Sequence, residues 1–409
     1  MRLPTLIRTD TAPSALTAIL AIGLTQVIGW GTTFSPLMAV GDTIGQDLRL
    51  PREIIFGGIA AMLVFGAVIA PACGRAVDRY GARPIMAAGS VLVAAALLLV
   101  AVATGAVSYL IGWALIGVAS PMMLTNAALP GLVQIAGGNA RRGITILTLL
   151  TGFTSTIFLP PIAYLNDIIG WRATFLGFAV LHLAICLPVH LLVLPRTQPS
   201  RQQTLAGGTT APPWEGRLPT EKRRLAFVLL ALWSCTDGII VWGLNMQIID
   251  VFQMLGLSAT AAIGVWMLSG PTQVASRLVD LLTGGRLPIL KVAMAGAVVA
   301  PLGPLAVLAG GATIPTAGLL AVTYGIAHGL FALARNMLPL LLFGQKEYGT
   351  YMGRLMLPQN LANAASPIVF AAIITRSGAD AALMAGLVLT LTGLAGVLIL
   401  IRVCQDAAS

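Results

Sequence analysis

Two charges stand inside apolar runs where charge is costly. Asp237 lies in ALWSCTDGIIVWGL and Arg335 in GIAHGLFALARNMLPLLLFG. Placing such a group in hydrocarbon costs roughly 2.5–3.5 kcal/mol on insertion scales, so a residue kept there calls for a partner or a function. The run holding Arg335 leaves the apolar region near Gly344, which sets Arg335 roughly 13 Å deep at about 1.5 Å per residue. The same count from Leu225 sets Asp237 roughly 18 Å deep. Both depths are close to the middle of a core about 30 Å thick. A guanidinium in low dielectric grips a carboxylate through two parallel N–H donors, so Arg335 is a candidate anion anchor. Asp237 is then either its resting partner or a proton carrier, and His328 is a second proton-carrying group. Two blander readings stand beside this one. Arg335 snorkels to the interface, or it forms a purely structural ion pair with Asp237.

Further polar groups fall on the same or neighbouring runs. Tyr324, His328 and Arg335 are spaced i, i+4 and i+11, which puts them on one helical face. Gln26, Trp30 and Thr33 form a similar stripe. Asn126, Asn245, Gln273, Gln359, Asn360 and Asn363 add amide groups at apparent membrane depth. The proposed substrate-contacting set is Arg335, Asp237, His328, Tyr324, Gln26, Trp30, Asn126, Asn245 and Asn360. An apolar cavity with a few convergent polar groups suits a small molecule. Trp30 and Trp242 also read as cavity wall or core. The asparagines of the 355–375 run also read as links between helices. His182 and His190 read as packing or interface residues.

The elements that must hold these side chains are membrane spans. The chain has 409 residues, 57% hydrophobic and only 9% charged, with mean hydropathy +0.91. Counting runs of about 20 apolar residues gives twelve spans. They cover 15–38, 54–73, 85–104, 107–130, 144–165, 173–194, 225–249, 259–279, 287–309, 316–343, 355–375 and 381–402. The first run is too long for a signal-peptide core and is taken as a retained span. A stretch rich in Pro, Gly, Thr and charge, 195–224, separates a first six-span half (1–194) from a second (225–409). The formal charge of +10 is spread over short loops. With the N-terminus inside, 19 of the 24 Lys and Arg residues fall on the cytoplasmic side and 4 outside, which places both termini in the cytoplasm. This spread is no nucleic-acid patch. The four cysteines are scattered, with no metal-ligand spacing. There is no H-E-x-x-H, G-x-S-x-G or P-loop. The sequence therefore predicts no enzyme, no metal and no cofactor.

The halves share marks in the same order. GRAVDRYGARP follows the second span and SRLVDLLTGGRLP the eighth. Arg75, Asp78, Gly81 and Arg83 match Arg277, Asp280, Gly284 and Arg286. GWG at 29–31 matches VWG at 241–243, and TNAALP at 125–130 matches RNMLP at 335–339. Such duplication is a known transporter construction, with the site between the halves near the midplane.

GRAVDRYGARP resembles the G-x-x-x-D-R-x-G-x-R signature of the major facilitator superfamily, through Gly74, Asp78, Arg79, Gly81 and Arg83. GWRATF at 170–175 and LGLSATAA at 255–262 resemble stretches of its bacterial members. The resemblance implies an all-α polytopic fold of two six-helix bundles related by a pseudo-two-fold axis. It also implies a central cavity lined by spans 1, 4, 7 and 10, and a multi-pass location in the bacterial inner membrane. Read physically, Gly74 and Gly81 allow close approach and a turn, and Asp78 accepts bonds from a facing helix N-terminus or from Arg79 and Arg83. This set is the expected cytoplasmic gate. The expected function is secondary transport by alternating access, with a small monocarboxylate-like anion as substrate and protons coupled or exchanged. The expected partners are that solute, protons and the bilayer, on a monomer. A drug or metabolite efflux carrier is the alternative, but WALIGVASPMMLTNAAL lacks the arginine that many proton-driven efflux members carry in span 4. A transporter-like sensor is the third reading.

Overall fold

The computed structural model describes residues 15–137, 140–195, 216, 218–283 and 287–406. Seventeen α-helices fill these ranges. They are α1 (Ala15–Thr33), α2 (Ser35–Leu48), α3 (Arg52–Tyr80), α4 (Ala82–Ala101), α5 (Ala106–Met123), α6 (Thr125–Ala136), α7 (Ala140–Gly152), α8 (Thr154–Leu181) and α9 (Leu187–Val193). The second half of the chain supplies α10 (Thr220–Ile239), α11 (Ile248–Met254), α12 (Ala259–Trp266), α13 (Ser269–Leu282), α14 (Ile289–Val299), α15 (Leu302–Gly310), α16 (Ile314–Phe343) and α17 (Tyr348–Gln405). Among the described residues, nine helical runs are long and apolar enough to cross a membrane. Two of these runs bend back at a glycine outside helical backbone, Gly170 (φ 77) in α8 and Gly378 (φ 85) in α17.

The helices outrun the apolar windows that announce them. The first run was expected to end at 38, yet α2 continues to Leu48 and stops where Arg49 turns left-handed (φ 54). Helix α3 was expected to end at 73, yet it runs to Tyr80. Gly74, Asp78 and Arg79 are therefore helical, and only Gly81 (φ 85) makes the turn before Arg83 in α4. Of the 195–224 stretch, 196–215 and 217 lie outside the described residues, as do Gly284 and Arg286 of the second signature. The end of that stretch packs on α16, where Leu218 N–H donates to the Leu342 carbonyl (3.3 Å).

Packing shows which end is closed. One buried cluster joins both halves, from Ile19, Val77, Leu132 and Ile144 to Leu230, Leu338, Tyr348 and Leu400. Beyond it, the first half has its own cluster around Trp113, Trp171 and Phe175. The second half has another around Phe252, Leu320 and Phe370. Leu192, Leu282, Val107 and Ile368 stand exposed on the outside, as a lipid-facing surface requires.

Two ties across the closed end use the repeated signature. Asp78 accepts from the backbone N–H groups of Gly349 (2.9 Å) and Thr350 (2.6 Å), in the first turn of α17. A carboxylate there meets both unpaired amides and the positive end of the helix dipole. The approach is close because neither helix carries a side chain at the crossing. A Cβ on Gly74 would run into the Gly349 carbonyl, and one on Gly349 would lie 2.7 Å from the Asp78 carboxylate. The second copy makes a different tie. Asp280 of α13 pairs with Arg141 (2.5 Å) and accepts from the Thr145 hydroxyl (3.2 Å), both on α7.

Candidate functional site

A cavity of about 1100 Å³ lies between the halves, next to the closed end. The repeat marks meet there. Trp30 and Trp242 line it, as do Asn126 and Asn336. Arg335, Asp237, His328, Gln359, Asn360 and Asn363 complete the polar wall. On the side away from the ties, Trp30 packs on Phe34 (ring centroids 4.6 Å) and Phe34 on Trp242 (5.8 Å), so aromatic rings join the halves there.

The backbone places the charges. Helix α16 begins at a Thr313–Thr316 capping box with Pro315 in its first turn, and ends at Gly344. Gly325 and Gly329, one turn apart, seat it against α13. Side chains there would strike Thr272 and Ser276, so only glycine permits this spacing. Arg335 then falls on the cavity face. Asp237 comes just before a π-helical turn, Ile240–Leu244, which widens the helix at Trp242. Such turns recur at functional sites because they re-aim neighbouring side chains.

Asp237 is 8% exposed and holds both neighbours. Its Oδ1 is 3.3 Å from His328 Nδ1, and its Oδ2 is 3.7 Å from Arg335 Nη1. The second distance is an ion pair too long to be a hydrogen bond. Among the described residues Arg335 has no nearer acceptor, so its planar fork of donors is open to the cavity. Asn126 Nδ2 and Asn363 Oδ1, also in the wall, are buried without partners.

Sequence reasoning missed Arg277. It was counted with the cytoplasmic loop charges, but α13 continues past it and buries it to 5% exposure. Its Nη1 donates to the Thr148 carbonyl of α7 (2.8 Å), and it lies within electrostatic reach of Asp237 and Arg335. Two guanidiniums and one carboxylate leave this region with excess positive charge. The sequence held no signal for this, since both copies of R-x-V-D read as loops.

The other expected residues divide three ways. Trp30, Asn126 and Asn360 line the central cavity with Arg335, Asp237 and His328. Tyr324 and Asn245 face a separate apolar chamber within the second half, which shares only Asp237 and His328 with the central cavity. Gln26 lines neither. Its Nε2 donates to the Met123 carbonyl (2.9 Å), left open where α5 breaks before α6. His182 bonds Thr32 (2.8 Å), and His190 bonds Ser90 (2.8 Å) and Thr25 (3.1 Å), all within the first half. No group of three or more His, Cys, Asp or Glu among the described residues is arranged to hold a metal.

Comparison with known proteins agrees with this architecture. The crystal structure of the human organic anion transporter MFSD10 (TETRAN) superposes with a TM-score of 0.72 at 17% identity, covering 95% of this chain and 100% of that one. The proton:xylose symporter XylE, bound to 6-bromo-6-deoxy-D-glucose, also gives 0.72, at 14% identity, covering 95% and 96%. No curated protein matches by sequence. The family profile of the Major Facilitator Superfamily matches residues 19–367, and the chain belongs to that superfamily of multi-pass membrane transporters.

Proposed function

We propose that the protein is a secondary carrier of small monocarboxylate-like anions, with Arg335 as the anchor and Asp237 as its resting partner. The observation that carries this reading is the unfilled guanidinium of Arg335. It faces a cavity between the halves, and among the described residues it is held only by a 3.7 Å ion pair. An arriving carboxylate makes two short charge-assisted bonds with Arg335 and displaces Asp237. Released from that ion pair, Asp237 takes up the proton, with His328 3.3 Å away as relay. One anion then moves with one proton, and the filled site keeps the charge of the empty one. Asn126 adds an unpaired N–H to the same wall.

The wider frame is part of the same proposal. Twelve spans form halves 1–194 and 225–409 around the 195–224 linker. The two ties close the cytoplasmic face of a bacterial inner-membrane monomer, whose termini are both cytoplasmic. Alternating access opens those ties while the Phe34–Trp242 side closes. The test is uptake into proteoliposomes of labelled lactate, pyruvate and a lipophilic cation, with and without an inward proton gradient. The reading predicts gradient-driven accumulation of an anion and none of the cation. It also predicts that Asp237→Asn retains anion exchange but loses accumulation. Cation uptake without anion uptake would refute it in favour of an efflux carrier.

A further inference from the structure

Behind the Asp237–His328 pair lies a second chamber of about 650 Å³, built wholly from the second half of the chain. Its wall is mostly apolar, with Trp233, Trp266, Phe331 and Leu320 supplying the bulk. Trp233 and Phe331 meet edge to face (4.9 Å), and Trp266 packs on Tyr324 (5.1 Å), which stacks on His328 (5.7 Å). An apolar, aromatic lining with a few polar groups is the make-up of a small-molecule site. Trp233, 2% exposed, lines it, and its indole N–H has no hydrogen-bond partner among the described residues. Its position also matters, because Asp237 and His328 are common to its wall and to that of the central cavity. A molecule whose carboxylate sits on Arg335 therefore has an apolar room beyond the same two side chains.

We propose that this chamber receives the hydrocarbon portion of the substrate, so that the transported anion is an amphipathic monocarboxylate with an alkyl or aromatic tail. The inference rests on the anchor reading of Arg335. Head and tail are recognised by separate features. The guanidinium selects the carboxylate, and the aromatic wall selects the tail. The shift of Asp237 when the anion takes Arg335 opens the partition between the two spaces.

The test is equilibrium binding of acetate, butyrate, hexanoate, octanoate and phenylacetate to the purified full-length carrier. Affinity is expected to rise about fourfold per added methylene, the value for transfer of a CH₂ out of water, until the chamber is full. Thr390 lines the chamber, and its hydroxyl bonds only the Leu387 carbonyl of its own helix (2.8 Å). Thr390→Phe should therefore lower the octanoate-to-acetate affinity ratio at least tenfold. Trp266→Ala enlarges the chamber from another helix and should move the plateau to longer tails, which keeps the test open if Thr390→Phe does not fold. Equal wild-type affinity for acetate and octanoate would overturn the proposal. So would a chain-length dependence that neither variant alters. Arg335→Ala separates the two readings. Loss of binding across the whole series supports the anchor, whereas binding that depends on tail length but not on Arg335 overturns the anchor and leaves the chamber.

Discussion

Asp78→Asn should unlatch the closed end without unfolding the protein. The carboxylate accepts from two backbone N–H groups, Gly349 at 2.9 Å and Thr350 at 2.6 Å. Asparagine offers one acceptor oxygen and sets an NH₂ against the other amide, so at least one charge-assisted bond is lost. Such bonds contribute about 1.5–3 kcal/mol each, and the lost charge also removes about 0.3–1 kcal/mol of interaction with the α17 dipole. Both contacts join α3 to α17 and exist only while the halves are together there. The loss, about 1.8–4 kcal/mol together, therefore falls on the latched state alone and lowers its population relative to the open one about 20- to 700-fold. Spin labels on Tyr80→Cys and Lys346→Cys, both exposed beside the tie, would read the separation directly. The distance distribution should shift to longer values in Asp78→Asn, transport should fall, and thermal stability in detergent should change little. An unchanged distribution, or a loss of membrane insertion equal to the loss of transport, would refute the latch.

The second tie should behave in parallel. Arg141→Ala strands Asp280, 4% exposed, and should open the α7–α13 contact while lowering stability by about 3–5 kcal/mol, measured by thermal unfolding. Gly329→Val drives a side chain into Ser276 and should separate α16 from α13, reducing folded yield on size-exclusion chromatography more than any cavity substitution. Tyr348→Phe removes the bond from the tyrosine hydroxyl to the Asn336 carbonyl (2.6 Å) and should cost about 1 kcal/mol of stability, with anion affinity in binding assays unchanged.

Arg335, Asp237 and His328 stood out because a charged or titratable group inside an apolar run is a local signal, and all three line the cavity. Trp30, Trp242 and Asn126 were legible because the repeat marks them, and they converge on the cavity. Arg277 was not, because an apolar run does not show where its helix ends or what its last turn packs against. Helix α3 carries Asp78 past its apolar run, and Arg277, two residues from the end of the 259–279 run, was counted with the loop charges, whereas α13 continues to Leu282 and the other half buries it. Gln26 was misplaced for a different reason. A stripe on one helix cannot show that its neighbour breaks at Leu124 and presents a bare carbonyl. The two signature copies share register but not partner. Asp78 caps a helix while Asp280 holds an arginine, because only α7 supplies Arg141 at its start. The chamber behind His328 left no trace in sequence, since its lining comes from residues scattered between Trp233 and Gly393.

The central claim is that Arg335 grips the substrate, and the most direct measurement is monocarboxylate binding to the wild type, Arg335→Lys and Arg335→Ala, purified and matched for folded protein. Lysine keeps the charge but not the two-pronged geometry. The account predicts about ten- to 150-fold weaker binding for Arg335→Lys, the loss of one charged hydrogen bond of about 1.5–3 kcal/mol. It predicts no measurable binding for Arg335→Ala. Wild-type affinity in Arg335→Ala would contradict it and leave Arg335 and Asp237 as a structural pair.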